Sequence, residues 1–190
     1  MTGSHSAVRY IGPYGFPETA GRFEVTSLKL YPDPRYGALG RYHSDQGGGV
    51  DAYLYPAETD VEGRGRTLDR EFRKAQRDIE SWYERRDTTL RAGEWESVTP
   101  VVVSDSAGMI EGRRGRITLH GMAGEHDGEE LQSYLYVFVR GRTAAKVRAT
   151  FPDSVPEERP EIIDEFAREF ARRSERMSGY DPPEVHVSDH

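Results

Sequence analysis

The sequence predicts an α+β fold: a mostly antiparallel sheet of about six to seven strands with two amphipathic helices. Three observations predict it. Residues 131–139 run Leu-Gln-Ser-Tyr-Leu-Tyr-Val-Phe-Val, a β-branched and aromatic series suited to a pleated surface. Both of its faces are apolar, as in a central strand covered on both sides. Finally, helical periodicity appears in only two places, near 67–86 and 160–178, with runs of hairpin-like strands between them. One helix on each face of the central strand gives a three-layer α/β/α sandwich.

The central stretch, 131–153, reads as one long hairpin. Its second arm alternates Ala145, Val147, Ala149 and Phe151 with Lys146, Arg148 and Thr150, so one face is apolar and the other polar. Gly141 supplies the positive φ that a tight turn demands. An even loop, of two or four residues, pairs Phe138 with Ala145, Tyr136 with Val147 and Tyr134 with Ala149 on one side. It pairs Leu135 with Arg148 and Val137 with Lys146 on the other. An odd loop would drive the cations into the aromatic layer, so the even register is predicted.

Upstream, Gly12-Pro13, Gly15, Pro17 and Gly21 make the lead-in look irregular. Residues 23–31 read as a strand ended by Pro32-Asp33-Pro34, because two prolines cannot continue a ladder. Residues 39–44 and 50–55 form a hairpin about a glycine-rich turn at 45–49. That turn lacks the Lys-Ser/Thr and helix start of a phosphate loop. Thr67 is placed as the cap of a helix reaching about residue 86, with Leu68, Phe72, Ala75, Ile79 and Trp82 as its buried stripe. Arg70, Arg73, Arg77, Glu80 and Glu84 form its solvated face. Strands follow at 98–104, weakly at 109–111, and at 116–122, with Gly112-Arg113-Arg114-Gly115 as a hairpin turn. An acidic loop, 124–130, leads into the central hairpin. Pro160 opens the second helix, whose stripe is Ile162, Ile163, Phe166, Ala167, Phe170 and Ala171, and Gly179 is expected to stop it. The domain plan is an irregular lead-in or expression scar over 1–16, a single α+β domain over 17–176 and a flexible tail over 177–190.

A net charge of -7 discourages nucleic acid and anionic membranes as partners. No cysteine is present, which removes disulfides, thiolate metal sites and a cysteine nucleophile. No apolar run approaches the roughly 20 residues of a membrane span. The first ten residues lack the apolar core of a signal peptide, and the opening Met-Thr-Gly-Ser-His-Ser looks like an expression scar that replaces an original leader.

Pro17, Gly21-Arg22-Phe23, Leu39-Gly40, Tyr42 and Val50-Asp51-Ala52-Tyr53-Leu54-Tyr55 precede a helix containing Phe72, and Lys146-Val147-Arg148-Ala149-Thr150 comes late in the chain. This ordering resembles a family of uncharacterised, exported proteobacterial proteins, and the plan is similar to the PsbP/Mog1/DcrB-like fold. The resemblance covers most of residues 17–173. It implies the fold and a periplasmic or secreted address, with a cytoplasmic one left open, and it supplies no catalytic residues to carry over. Accessory and binding roles in the wider fold group are analogy alone.

Motifs for chemistry are sparse. His120 and His126, near Asp127, Glu129 and Glu130, form the most metal-like cluster, but no His-Glu-x-x-His spacing occurs and a solvated acidic loop explains them. Gly112–Gly115 resembles a KH-type GxxG loop, yet a strand pattern follows where that module needs a helix. Ser104 and Ser106 have no glycine two residues before them, so neither is a nucleophile elbow. Carboxylate pairs such as Glu94/Glu96 and Glu157/Glu158 are indistinguishable from surface charge. No catalytic residue and no cofactor is assigned. The candidate ligand-binding residues are Lys146, Arg148, Tyr134 and Tyr136, with Tyr53 and Tyr55 as further cleft candidates.

Lysine occurs only at positions 29, 74 and 146. Placing one of three in a central strand pair has two explanations. The stems of Lys146 and Arg148 can lie over aliphatic neighbours and pair with carboxylates of a covering helix. Alternatively, they flank a cleft where helix and sheet separate, and receive an acidic group. The function expected is a non-enzymatic exported accessory or binding domain whose partner is a protein or small molecule. The competing expectation is a small metal-dependent or hydrolytic enzyme using His120 and His126.

Overall fold

The computed structural model describes residues 7–45, 48–57, 64–85, 90–96, 98–105, 108–122, 128–152 and 159–176. Twelve strands and two α-helices are placed in them: β1 (Val8–Ile11), β2 (Tyr14–Pro17), β3 (Thr19–Ala20), β4 (Phe23–Leu30), β5 (Ala38–His43), β6 (Gly49–Pro56), α1 (Arg64–Arg85), β7 (Leu90–Trp95), β8 (Thr99–Asp105), β9 (Gly108–Gly121), β10 (Glu130–Arg140), β11 (Thr143–Pro152), α2 (Arg159–Arg173) and β12 (Glu175–Arg176). A 3-10 turn, Pro34–Tyr36, links β4 to β5. Among the described residues, nine strands form one sheet in the order β3-β4-β5-β6-β11-β10-β9-β7, with β8 also paired to β9. The expectation of six to seven was too low. β1, β2 and β12 make a second, three-stranded sheet.

The β10–β11 register is the even one: Phe138 opposes Ala145, Tyr136 opposes Val147 and Leu135 opposes Arg148. A two-residue turn, Gly141-Arg142, joins the arms, and Gly141 takes φ 59°. β10 is apolar on both faces because each face enters a different core. Tyr134, Tyr136 and Phe138 join Phe23, Tyr42, Phe166 and Phe170 beneath α2. Leu131, Leu135 and Val137 join Leu68, Phe72, Ala75, Ile79 and Tyr83 of α1. Phe166 and Phe170 stack at 5.8 Å, and Tyr42 meets both edge-on at 5.0 and 6.0 Å. Burying each such ring is worth roughly 1.5–3 kcal/mol.

Several expectations change. The lead-in read as irregular holds the β1–β2 hairpin, turned at Gly12 with φ 55°, and its Tyr14 and Phe16 are buried in the main core. Gly112–Gly115 is no turn. It lies inside β9, one strand of 14 residues where two short ones were expected. The glycines are there for space: a Cβ at Gly112 would stand 2.4 Å from the Phe138 ring, and one at Gly115 would stand 2.9 Å from Phe72. β7, Leu90–Trp95, is a strand that the sequence pattern does not announce; Glu80 accepts a 2.7 Å hydrogen bond from its Trp95 indole. Helix α1 starts at Arg64, so Thr67 is a buried interior residue rather than a cap. Tyr83, not Trp82, completes its stripe: Trp82 is 42 % exposed. Helix α2 ends at Arg173, before Gly179, where Ser174 N–H donates to Phe170 and the chain turns into β12. The 177–190 tail and parts of the 45–49 and 124–130 loops lie outside the described residues.

Two features of the sheet matter below. α1 packs chiefly on β10, β9 and β7, and a cleft lies between its flank and β11 and β6. At the other end, β8 pairs with β9, and its Val102 and Ser104 carbonyls accept hydrogen bonds from Arg168 (2.8 Å) and Arg172 (3.2 Å) of α2.

Candidate functional site

The cleft on the flank of α1 is built by two periodicities that meet. Along β6, Val50, Ala52 and Leu54 enter the α2-side core, which sends Asp51, Tyr53 and Tyr55 to the α1 side. β11 lies beside β6 with Lys146 opposite Tyr53 and Arg148 opposite Asp51, so both cations share that side. Along α1, Glu71, Lys74, Asp78 and Trp82 follow at helical spacing beside the apolar stripe and face the same strands. Tyr31, after β4, and Tyr36, from the 3-10 turn, form the outer wall, with their rings edge-on at 6.2 Å. The cleft opens to solvent and has a volume of about 610 Å³, within the range of small-molecule sites.

Inside the cleft the charges are unevenly matched. Asp33 holds Arg35 through both carboxylate oxygens at 2.6–3.1 Å. Glu71, 1 % exposed, accepts a hydrogen bond from the Tyr55 hydroxyl. Lys146 is half-buried, with Nζ 4.3 Å from the centre of the Tyr53 ring, and no described carboxylate comes within ion-pair distance of it. Removal from water lowers its pKa; Asp78 opposes the shift, and Arg148 and Lys74 add to it. Burial pushes the Tyr31, Tyr53 and Tyr55 hydroxyls up, so all three stay protonated at ordinary pH.

Arg148 behaves differently from Lys146. Its guanidinium lies over the Tyr83 and Trp82 rings, 5.1 and 5.8 Å from their centres, and donates to the Tyr83 hydroxyl. The pairing with helix carboxylates is therefore replaced by aromatic contacts, and Arg148 ties β11 to α1. Tyr134 and Tyr136 are on the opposite side of the sheet, in the core beneath α2. They border a second hollow of about 220 Å³ with Glu96, Arg114 and Arg116. There Glu96 pairs with Arg116, and burial, reinforced by Asp164, pushes the Tyr136 hydroxyl up. The four candidate residues thus do not converge. Lys146 stands with Tyr53 and Tyr55, while Tyr134 and Tyr136 stand a sheet's thickness away.

His120 is exposed at the end of β9, with Nδ1 3.3 Å from Glu130 across the strand pair. His126 and Asp127 lie outside the described residues. Among the described residues, no three His, Cys, Asp or Glu side chains are grouped to hold a metal ion. No described helix is long and apolar enough to cross a membrane.

Sequence reasoning missed Tyr31, Tyr36, Lys74 and Asp78. A signal for two of them was present: Glu71, Lys74 and Asp78 fall between the apolar stripe and the solvated face of α1, on a flank assigned to neither.

The described residues thus make an α+β protein with two helices, a large antiparallel sheet and a ligand-sized cleft beside one helix. No family model matches the chain, and no curated protein matches it. Among solved structures it is similar to cyanobacterial PsbP (CyanoP) from Synechocystis sp. PCC 6803, at 9 % identity and TM-score 0.47, over 93 % of this chain and 97 % of that one. It is also similar to a variant of the protein Mog1, at 13 % identity and TM-score 0.45, over 88 % of this chain and 92 % of that one. A protein from Bacteroides thetaiotaomicron VPI-5482 is similar at 9 % identity and TM-score 0.35, over 90 % of this chain and 51 % of that one.

Proposed function

We propose that this chain is a non-enzymatic, exported accessory or binding domain. Its two helices flank the sheet in a three-layer arrangement, and the cleft beside α1 receives an acidic group of a small ligand at Lys146. The observation that carries this reading is the position of Lys146: a half-buried ammonium at a tyrosine-lined cleft, with an aromatic ring beneath it and no described carboxylate in ion-pair range. Taking an ammonium out of water without a counter-ion is unfavourable, and a bound anion would supply the missing charge. Arg148 is excluded from the contact because it is engaged by Trp82 and Tyr83.

The test is a titration of the wild-type chain and Lys146→Met with a panel of small anions, followed through the backbone amide resonances of residues 53 and 146. At least one anion should bind the wild type and lose its binding in a variant that still melts cooperatively. A panel in which none binds, or in which the variant binds equally, refutes the anion-binding role. Export is tested separately, by fractionating cells that express the source gene.

A further inference from the structure

We propose that the cleft takes a zwitterion: a free amino acid whose carboxylate meets Lys146, whose ammonium meets Asp78 and whose apolar side chain lies against Tyr31 and Tyr36. The proposal rests on Lys146 being the anion-receiving group and adds a second contact, of opposite sign, from the facing helix.

Pairing, taken residue by residue, singles out these two. Arg35 is held by Asp33 through a bidentate contact with Nη2–Oδ2 at 2.6 Å. Lys74 has a partner of its own. Glu71, 1 % exposed, is engaged by the Tyr55 hydroxyl. Asp51, beside Tyr53 on β6, pairs with Arg41 at 3.8 Å. Arg148 lies over the Trp82 and Tyr83 rings and donates to the Tyr83 hydroxyl. Lys146 and Asp78 remain. Both border the cleft, and neither makes an ion pair or a hydrogen bond among the described residues.

Asp78 stands near enough to oppose the lowering of the Lys146 pKa, yet the two do not close on each other. Such a gap is spanned by a molecule that carries both charges on neighbouring carbons. A carboxylate without an amine would satisfy Lys146 and crowd Asp78 with a like charge, and an amine without a carboxylate would do the converse. The two ends differ in weight. Lys146 is half-buried over the Tyr53 ring, whereas Asp78 is exposed on α1. An exposed pair contributes less than a desolvated one, so the carboxylate carries more of the affinity and the ammonium more of the selectivity.

The walls favour a side chain. Tyr31 and Tyr36 stand edge-on at 6.2 Å, with Pro56 and Ala57 also lining the cleft. Glycine would leave most of the roughly 610 Å³ to water. A flat apolar side chain covers these rings, and aromatic quadrupoles favour another ring placed offset or edge-on.

The experiment titrates the full chain by calorimetry at pH 7 with four matched probes: phenylalanine, 3-phenylpropanoate, 2-phenylethylamine and glycine. Phenylalanine is expected to bind at least about tenfold more tightly than 2-phenylethylamine or glycine, and about threefold more tightly than 3-phenylpropanoate. Lys146→Met should reduce phenylalanine to the level of 2-phenylethylamine. Asp78→Asn should erase the preference for phenylalanine over 3-phenylpropanoate. Tyr36→Ala, at a residue 62 % exposed, should weaken phenylalanine several-fold and leave glycine unchanged. If 3-phenylpropanoate equals or exceeds phenylalanine in the wild type and both depend on Lys146, the anion site stands and the zwitterion is wrong. A preference for phenylalanine that survives Asp78→Asn, or glycine binding as tightly as phenylalanine, also overturns the proposal. If Lys146→Met binds phenylalanine and 3-phenylpropanoate as the wild type does, or if no probe binds, the anion site falls with it.

Discussion

Replacing Gly112 by alanine puts one methyl group where the structure has a ring. The new Cβ would stand 2.4 and 2.6 Å from two atoms of Phe138 and 3.0 Å from the Val137 carbonyl. Carbon atoms in good contact are about 3.5 Å apart or more, so the ring must retreat by about 1.1 Å, the difference between 3.5 and 2.4. Phe138 is 1 % exposed, so the retreat has to push other core groups aside. Overpacking of this kind costs about 1–3 kcal/mol. Stiffening the unfolded chain by losing a glycine returns about 0.4–1 kcal/mol. The net loss is at most about 2.6 kcal/mol and centred near 1 kcal/mol, or up to roughly 10 °C in Tm for a chain of this size. Gly65→Ala is the control. It lies in α1 with nothing within 4 Å of its Cβ, and should be neutral or stabilising by up to about 1 kcal/mol. Thermal melts by circular dichroism measure both, and Phe138→Leu should absorb part of the Gly112→Ala loss in a double-mutant cycle. Gly112→Ala melting above wild type would refute the account of β9, since a glycine in an open stretch of strand would tolerate the methyl.

Three further outcomes are expected. Val147, fully buried between Tyr136 and Ala52, should not tolerate Val147→Asp: the domain should fail to fold in urea melts, while Arg148→Gln should stay within a few degrees of wild type; the reverse order of damage would contradict the register. Lys146 has a folded pKa below its ordinary value near 10.4, so between the two values the unfolded chain binds more protons and stability rises with pH. Lys146→Met should therefore be more stable than wild type at neutral pH, with an advantage that shrinks toward pH 10; a constant difference in Tm across that window would count against it. Elemental analysis after purification without a histidine tag should find no stoichiometric metal, and near one zinc or nickel per chain, lost in His120→Ala, would reverse that.

The central hairpin was legible because its two arms carry different information. β10 is apolar on both faces and fixes no register by itself; Lys146 and Arg148 on β11 do, since one slip would bury them among rings. β9 was not legible because Gly112 and Gly115 answer to partners distant in sequence, the rings of Phe138 and Phe72. Local rules see two glycines and propose a turn. The β1–β2 hairpin failed for a related reason: its Gly12-Pro13 turn resembles punctuation in a coil until Phe16 is found in the core. In α1, one position of helical rotation separates Trp82 from Tyr83, and periodicity alone favoured the larger side chain. The cleft was half legible. Lys146 and Tyr53 follow from strand alternation, whereas Tyr31, Tyr36 and Asp78 reach it only through the sheet order and the placement of α1.

The two arginines that α2 extends to β8 have a consequence for how the molecule meets copies of itself. Val98, Val102 and Met109, 45, 48 and 71 % exposed, make this part of the sheet greasy, and among the described residues β8 pairs on one side only, the combination on which chains stack edge to edge. Arg168 and Arg172 already occupy the Val102 and Ser104 carbonyls, so an incoming strand would find acceptors taken and its own guanidinium pair facing an identical one. Helix α2 thus does double duty: one flank anchors the core through Phe166 and Phe170, and the other occupies two β8 carbonyls that an added strand would need.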